Sequence, residues 1–513
     1  MFATRLFISA FLIILSASLY SQSQQLTAKL EAIKSNRGVL GMSVTVIKNE
    51  GISYSGGFGI RDVARNLPVN DSTIYRIASI SKMITAIALL QLYDRGQIDL
   101  DADISNYLGY TLRSPHFPND VVTARKVVSH TASLRDGSGY DGFLSGTFSQ
   151  NPPPDLRALL LPGGTYYTSD MWSSSKRPNT DYFQYSNVNF GLIGTLIEKI
   201  SGKRFDVFCR ENIFMPLGLD ASFNIQDLAG FNNLAVLYRK NGGQWVAQTY
   251  NFGGVKPPPR DLSSYVIGTN GVIFGPQGAL RISTNDLSKI LTMLMNNGVY
   301  GGTRILSDTT AARIRQMNWT FTGSNGNNYY GIFNSYSYGL SKTSELLPNQ
   351  TLYGHPGEAY GLISDAYFSF DNRFGIVFAT NGGQWGTGNY SGWYNVEEDV
   401  FQACLSELNN LTGLEAPAEV PPAFTLMQNY PNPFNPATTI TFTLPEAAFA
   451  KLSVFSMTGE EVATLIDSTM SAGAHNSVFR PLDLPSGIYL YRLTVLDDRG
   501  RMSSMQRKMV YLR

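Results

Sequence analysis

Residues 79–93 read Ser79-Ile80-Ser81-Lys82-Met83-Ile84-Thr85-Ala86-Ile87-Ala88-Leu89-Leu90-Gln91-Leu92-Tyr93, and Arg95-Gly96 follows as a helix stop. The apolar stretch from Met83 to Tyr93 predicts a helix buried on most of its faces. Ser79 and Lys82 lie three positions apart, so at the start of that helix they project onto one face. A serine hydroxyl is a weak nucleophile until a neighbouring base takes its proton, and a lysine is such a base once burial lowers its pKa. The helix around Lys82 supplies that burial, and its N-terminus offers free backbone N–H groups to an oxyanion. The stretch therefore reads as a nucleophilic centre, with Ser79 as nucleophile and Lys82 as base.

Spacing alone does not carry this reading, because Ser173 and Lys176 repeat it. Arg177-Pro178-Asn179 follows that second pair and stops a helix, so nothing there orients or buries the lysine. Further along, Tyr185-Ser186-Asn187 precedes a helix-like run from Phe190 to Ile200, and Gly354-His355-Pro356-Gly357 precedes strand-like sequence. In this order the groups resemble the S-x-x-K, Y-x-N and K-T-G or H-x-G signatures of the serine β-lactamase, penicillin-binding protein and related esterase superfamily, particularly its class C-like branch. Ser129-His130-Thr131-Ala132, Pro216-Leu217-Gly218-Leu219, Ser283-Thr284-Asn285-Asp286-Leu287 and Thr380-Asn381-Gly382 add to the resemblance. It covers residues 26 to about 410.

The resemblance implies an α/β (α+β) β-lactamase/transpeptidase-like catalytic domain over residues 26–413, an antiparallel sheet beside a helical subdomain with the nucleophile in the cleft between them. It also implies acyl transfer. Ser79 would attack a carbonyl and Lys82 accept its proton, while Tyr185 shares the base role and protonates the leaving group. Asn187 would hold Lys82 and the substrate amide, and the backbone N–H groups of Ser79 and Glu358 would form the oxyanion hole. His355 and Gly357 would belong to the substrate-binding edge. His355 stands where many relatives place a lysine that pairs with a substrate carboxylate, Pro356 brings no hydroxyl, and Glu358 adds a negative charge. These departures favour an esterase, amidase or D-amino-acid peptidase over a strong β-lactamase. His130, with no serine–carboxylate pattern around it, reads as structural.

The rest of the chain sets the context. Its 513 residues are too many for one typical domain, and a composition of 43% hydrophobic and 15% charged residues is that of a folded protein. A net charge of +1 without a basic stripe gives no footing for nucleic acid. Arg5 precedes an apolar run from Leu6 to Leu19 and then polar residues, which predicts a secretory signal peptide over residues 1–23. Export permits a bridge between Cys209 and Cys404, but two separate buried thiols are the preferred reading. The four histidines form no metal-binding motif, so neither metal nor cofactor is expected.

A Pro-rich stretch, residues 414–423, reads as a linker. Beyond it, short strands separated by turns predict an all-β sandwich over 424–513. Asn429-Tyr430-Pro431-Asn432-Pro433-Phe434-Asn435-Pro436, Gly459, Gly473, the run Leu484-Pro485-Ser486-Gly487-Ile488-Tyr489 and the basic last strand with Lys508 resemble the type A sorting domain of type IX secretion. That resemblance implies passage through the periplasm and outer membrane to the cell surface or beyond, with the secretion machinery as partner and a small-molecule or peptidoglycan-type substrate for the catalytic domain. Two other readings stand beside it: a penicillin-binding or peptidoglycan-sensing module that acylates without turnover, and a surface-binding protein whose active part is the sandwich. The oligomeric state stays open.

Overall fold

The computed structural model describes residues 23–178, 181–383, 385–410, 424–429, 431–445, 447–471, 473–481, 484–496 and 502–512. All but the last residue of the expected signal peptide, and the whole of the expected linker, lie outside the described residues. The chain divides into two compact units, with the boundary between Leu408 and Asn409.

The first unit is built on a nine-stranded sheet. β1 (Gly41–Lys48) turns through Asn49-Glu50 into β2 (Gly51–Asp62), and both turn residues have positive φ, the geometry of the tight hairpins whose twist matches the strands. β3 is Leu67–Pro68, followed much later by β4 (Trp319–Thr320), β5 (Ser335–Ser337), β6 (Leu340–Thr343), β7 (Leu352–Ala359), β8 (Leu362–Ser369) and β9 (Phe374–Gly382). The order across the sheet is β4-β5-β6-β7-β8-β9-β1-β2-β3, every pairing antiparallel. β1 therefore lies against β9, with Lys48 opposite Phe374 and Thr45 opposite Val377.

Strand alternation separates two cores. Val44, Val46 and Phe378 pack with Leu26 and Leu30 of α1 (residues 23–36) and with Val400 and Phe401 of α5 (Asn395–Asn410). Thr45, between them, donates instead to Asn285 Oδ1 at 2.7 Å and lies 2.9 Å from Thr284 Oγ1, at the start of α4 (Thr284–Met295) on the opposite face. That face leads into the larger core, which contains α2 (Ser81–Asp94) and α3 (Asn187–Ser201) and forms the helical subdomain. Cys209 is buried in this core and Cys404 in the other, and both thiols are free. Between α3 and α4 lies a hairpin, Leu237–Asn241 with Gln244–Thr249. Its residues alternate exposed and half-buried over Gln244–Thr249, so few apolar residues mark it in sequence.

The second unit has two antiparallel sheets around one core. β10 (Thr425–Leu426), β11 (Thr438–Leu444) and β14 (Gly473–Phe479) form one. β12 (Ala448–Ser456), β13 (Glu461–Met470), β15 (Gly487–Leu496) and β16 (Met502–Tyr511) form the other, in the order β13-β12-β15-β16. Ile440 and Phe442 of the first sheet share a core with Leu452, Tyr491 and Leu493 of the second. β13 runs to Met470. It is an edge strand without a fully buried face, so Asp467-Ser468-Thr469 continues it without an apolar signal.

Candidate active site

Ser79 sits in a single 3-10 turn, Ala78–Ile80, that runs directly into α2. Ala78, just before it, has φ of 48°, a left-handed conformation that costs a residue with a Cβ on the order of 1 kcal/mol. In α2 every residue from Ser81 to Leu92 is buried, as expected of a helix apolar all round. Lys82 is therefore inside the protein, fully shielded from solvent. Its Nζ lies 3.1 Å from Ser79 Oγ, 3.0 Å from Asn187 Oδ1 and 2.8 Å from the Gln277 carbonyl oxygen. Burial pushes its pKa down to about 7, against a smaller upward pull from the Asp136 carboxylate. A neutral amine has two N–H bonds and one lone pair. With the two carbonyl oxygens taking the N–H bonds, the lone pair faces the Ser79 hydroxyl.

Asn187 is the first residue of α3, and Asp136 anchors it from another segment. The backbone N and Nδ2 of Asn187 donate to Asp136 Oδ2 at 2.8 and 3.0 Å, and the Val188 backbone N donates to Oδ1 at 2.8 Å. A carboxylate at a helix N-terminus satisfies free N–H groups and complements the helix dipole. Here it also fixes the amide rotamer: with Nδ2 held by Asp136, Oδ1 is presented to Lys82.

Tyr185 also borders Lys82. Its ring stacks on Phe333 at 5.1 Å, and Lys82 Nζ lies 4.9 Å from the ring centroid. Desolvation raises the pKa of its hydroxyl, and a hydrogen bond with the Ser79 side chain pulls the other way. His130 lies against the same ring at 4.5 Å, buried, with Nδ1 accepting from the Ser186 backbone N at 3.2 Å. It supports the Tyr185–Asn187 turn.

β7 closes the site. Gly357 packs so tightly on the turn that leads into Ser79 that a Cβ there would stand 2.3 Å from the Ile77 carbonyl oxygen and 2.6 Å from Ser364 Oγ. Glu358 follows, exposed at the cleft, accepting from Tyr394 Oη at 3.2 Å. His355 is fully buried, 3.1 Å from the Tyr336 hydroxyl through Nε2 and 2.6 Å from the Pro356 carbonyl oxygen through Nδ1. Burial and the Lys82 charge lower its pKa to about 3, so the ring is neutral. The open space over Ser79 is a cleft of about 510 Å³, bordered by Arg76, Tyr185, Asn187, Gln277, Glu358 and Tyr360.

The structure thus brings Ser79, Lys82, Tyr185 and Asn187 together, sets Gly357 and Glu358 beside them, and places His355 in the packing beneath. The second serine–lysine pair is not assembled: Lys176 Nζ turns to the Tyr182 ring at 4.4 Å, and Ser173 Oγ accepts from Lys176 backbone N at 3.0 Å. Asp136 and the Gln277 carbonyl went unread in the sequence. The first lies 51 residues from the helix it anchors, and a backbone oxygen has no residue signature at all.

The Beta-lactamase family model matches residues 24–400. A Secretion system C-terminal sorting domain matches residues 428–505. Penicillin-binding protein 4* of Bacillus subtilis (strain 168) is 28% identical over 180 residues, 34% of this chain and 36% of that protein. The chain thus spans only about a third of that relative's length. The penicillin-binding protein homologue from Pyrococcus abyssi superposes with a TM-score of 0.56 at 19% identity, over 94% of this chain and 95% of that one. D-amino acid amidase from Ochrobactrum anthropi SV3 gives 0.55 at 19% identity, over 75% and 99%. No helix among the described residues is long and apolar enough to cross a membrane. With its fold, its clustered serine and lysine, and a family match over most of its length, the chain belongs to the Beta-lactamase family and carries a C-terminal secretion sorting domain.

Proposed function

We propose that this chain is an exported serine hydrolase that cleaves ester, amide or D-amino-acid peptide bonds through an acyl-enzyme on Ser79. The observation that carries this reading is the buried Lys82 amine 3.1 Å from Ser79 Oγ, with a pKa of about 7 and both carbonyl partners in place. Ser79 Oγ attacks the substrate carbonyl and its proton passes to Lys82 Nζ. The oxyanion is met by the backbone N–H groups of Ser79 and Glu358. Tyr185, bonded to Ser79, relays the proton from Lys82 to the leaving group, and water then attacks the acyl carbonyl, releasing the acid and regenerating the serine. Asn187 orients the amine. The neutral, buried His355 supplies no cation for a β-lactam carboxylate, which supports esters and amides as the better substrates. Sorting through the type IX route would deliver the catalytic domain, residues 26–413, to the cell surface or the medium.

The test is turnover of p-nitrophenyl esters, D-amino acid amides, a D-alanyl dipeptide and nitrocefin, with the mass of the protein followed in parallel. Loss of all turnover in Ser79→Ala is expected, with a transient acyl adduct on the wild type. Activity surviving in Ser79→Ala would remove the nucleophile. A permanent adduct without turnover would replace the hydrolase with a sensor.

A further inference from the structure

Beside the cleft over Ser79 lies a second cavity of about 310 Å³. Arg76, Leu144, Gln277 and Tyr360 line both spaces, so the two are contiguous. The side cavity has an apolar wall of Leu144, Phe148, Phe223, Ile273 and Phe274. Phe148 stands 55% exposed, unusual for so large an apolar ring.

Two arginines, Arg281 and Arg76, also line it. Arg281 donates to the Phe223 carbonyl oxygen at 2.6 Å and to Tyr250 Oη at 3.0 Å, and its buried Nε has no acceptor. Arg76 donates through Nε to the Gly278 carbonyl oxygen at 2.8 Å and lies 4.9 Å over the Tyr360 ring. Arg239, exposed, borders the adjoining cleft. Among the described residues none of these three arginines forms an ion pair. Tyr250 registers the uncompensated charge: burial alone would raise the pKa of its hydroxyl, but Arg281 and Arg76 bring it below the ordinary value. Gln277 joins the two spaces, its backbone oxygen on Lys82 and its buried side-chain Oε1 without a donor.

An apolar wall facing unpaired guanidinium groups suits a ligand that is apolar along most of its length and anionic at its end, because guanidinium is the side chain best matched to a carboxylate. We propose that this side cavity is the substrate-selecting pocket, taking an aromatic or aliphatic group that ends in a carboxylate. The inference rests on the hydrolase reading of the cleft. It relocates anion recognition from the buried His355 on β7 to Arg281 and Arg76, and it leaves Gln277 Oε1 to accept an N–H of the substrate.

The test compares 4-phenylbutyrate with its neutral counterpart 4-phenylbutanol by calorimetric titration of the full chain carrying Ser79→Ala, so that binding is read whether or not the enzyme turns anything over. The carboxylate is expected to bind about tenfold tighter at low ionic strength, the advantage shrinking in 0.5 M salt. Adding Arg281→Gln should cut the preference to about threefold or less, and Arg281→Lys, which keeps the charge but loses the planar fork, should retain only part of it. Ile273→Trp, which fills the side cavity without bordering the cleft, should weaken both ligands. Equal affinities on the Ser79→Ala protein, or a preference untouched by Arg281→Gln together with affinities untouched by Ile273→Trp, would overturn the inference. Should the Arg281 variants not fold, the affinity ratio and its salt dependence without them decide. Absence of ester or amide turnover in the wild type would sink the hydrolase reading while leaving these affinities as they are.

Discussion

In the mechanism proposed above Lys82 is a base only as a free amine, so activity should follow its titration. Its pKa is depressed to about 7, so the base is available above that pH and is lost as the pH falls through it. The kcat/KM profile is expected to rise with an apparent pKa near 7. A limb near the usual carboxylate range would count against Lys82. Lys82→Arg, charged at every accessible pH, should cost on the order of a hundredfold to ten-thousandfold in kcat. Asp136 acts on the same atom at one remove. Its charge pulls the Lys82 pKa upward and its oxygens hold the Asn187 amide, so Asp136→Ala should lower kcat about tenfold with a smaller change in KM and move the acidic limb to lower pH. An unmoved limb would leave Asp136 with a purely structural role. The sequence made Ser79, Lys82, Tyr185 and Asn187 legible because each belongs to a short run with fixed local spacing. Asp136 and Gln277 were not legible, since the contacts that matter join distant segments. The depth of His355 could not be read either: a motif names a residue without saying whether its ring faces solvent or the aromatic packing of Tyr336 and Phe333.

At the level of elements, β7 and the turn that leads into Ser79 are pressed together at Gly357. A methyl group there meets the Ile77 backbone, which cannot swing aside as a side-chain end can. Gly357→Ala should therefore destabilise the fold by about 1–3 kcal/mol and lower kcat at least about tenfold by displacing Ser79. Wild-type activity in that variant would show that the strand yields easily. On the other face of the sheet, Asp365 of β8 and Glu397 of α5 are buried together, near Tyr367 and Trp393, with Glu358 contributing a further charge. Burial raises the pKa of both carboxyls, that of Asp365 to about 7. The folded state holds these protons after the unfolded chain has released them, so the contribution of this pair to stability is greatest in acid and is lost as the pH rises from about 4 through 7. Asp365→Asn keeps a donor for Glu397 and removes one titration. It should raise stability at pH 8 by about 1 kcal/mol or more, as seen in urea unfolding, with little effect at pH 4. The hairpin of β1 and β2 has a local signal, since its turn residues Asn49-Glu50-Gly51 separate two strands adjacent in the chain. The pairing of β1 with β9 has none, because the register joins residues more than three hundred positions apart.

The whole molecule comprises two units with separate cores. Each should unfold on its own account, so scanning calorimetry of the mature chain is expected to resolve two transitions. Residues 26–413 made alone should keep both the higher-enthalpy transition and whatever ester turnover the full chain shows. Loss of either would mean that the C-terminal strands contribute to the catalytic fold. The expectation of two thiols rather than a bridge also fits at this scale. Cys209 lies in the helical core and Cys404 behind the sheet, each wholly buried, with burial pushing its pKa up. An exported protein that needs no cross-link is indifferent to the redox state in which it is made, so the catalytic unit should mature in a reducing cytoplasm without an oxidase or isomerase. The same two sulfurs serve as separate clocks: the rate at which each is alkylated in the folded protein times the opening of its own half of the catalytic unit.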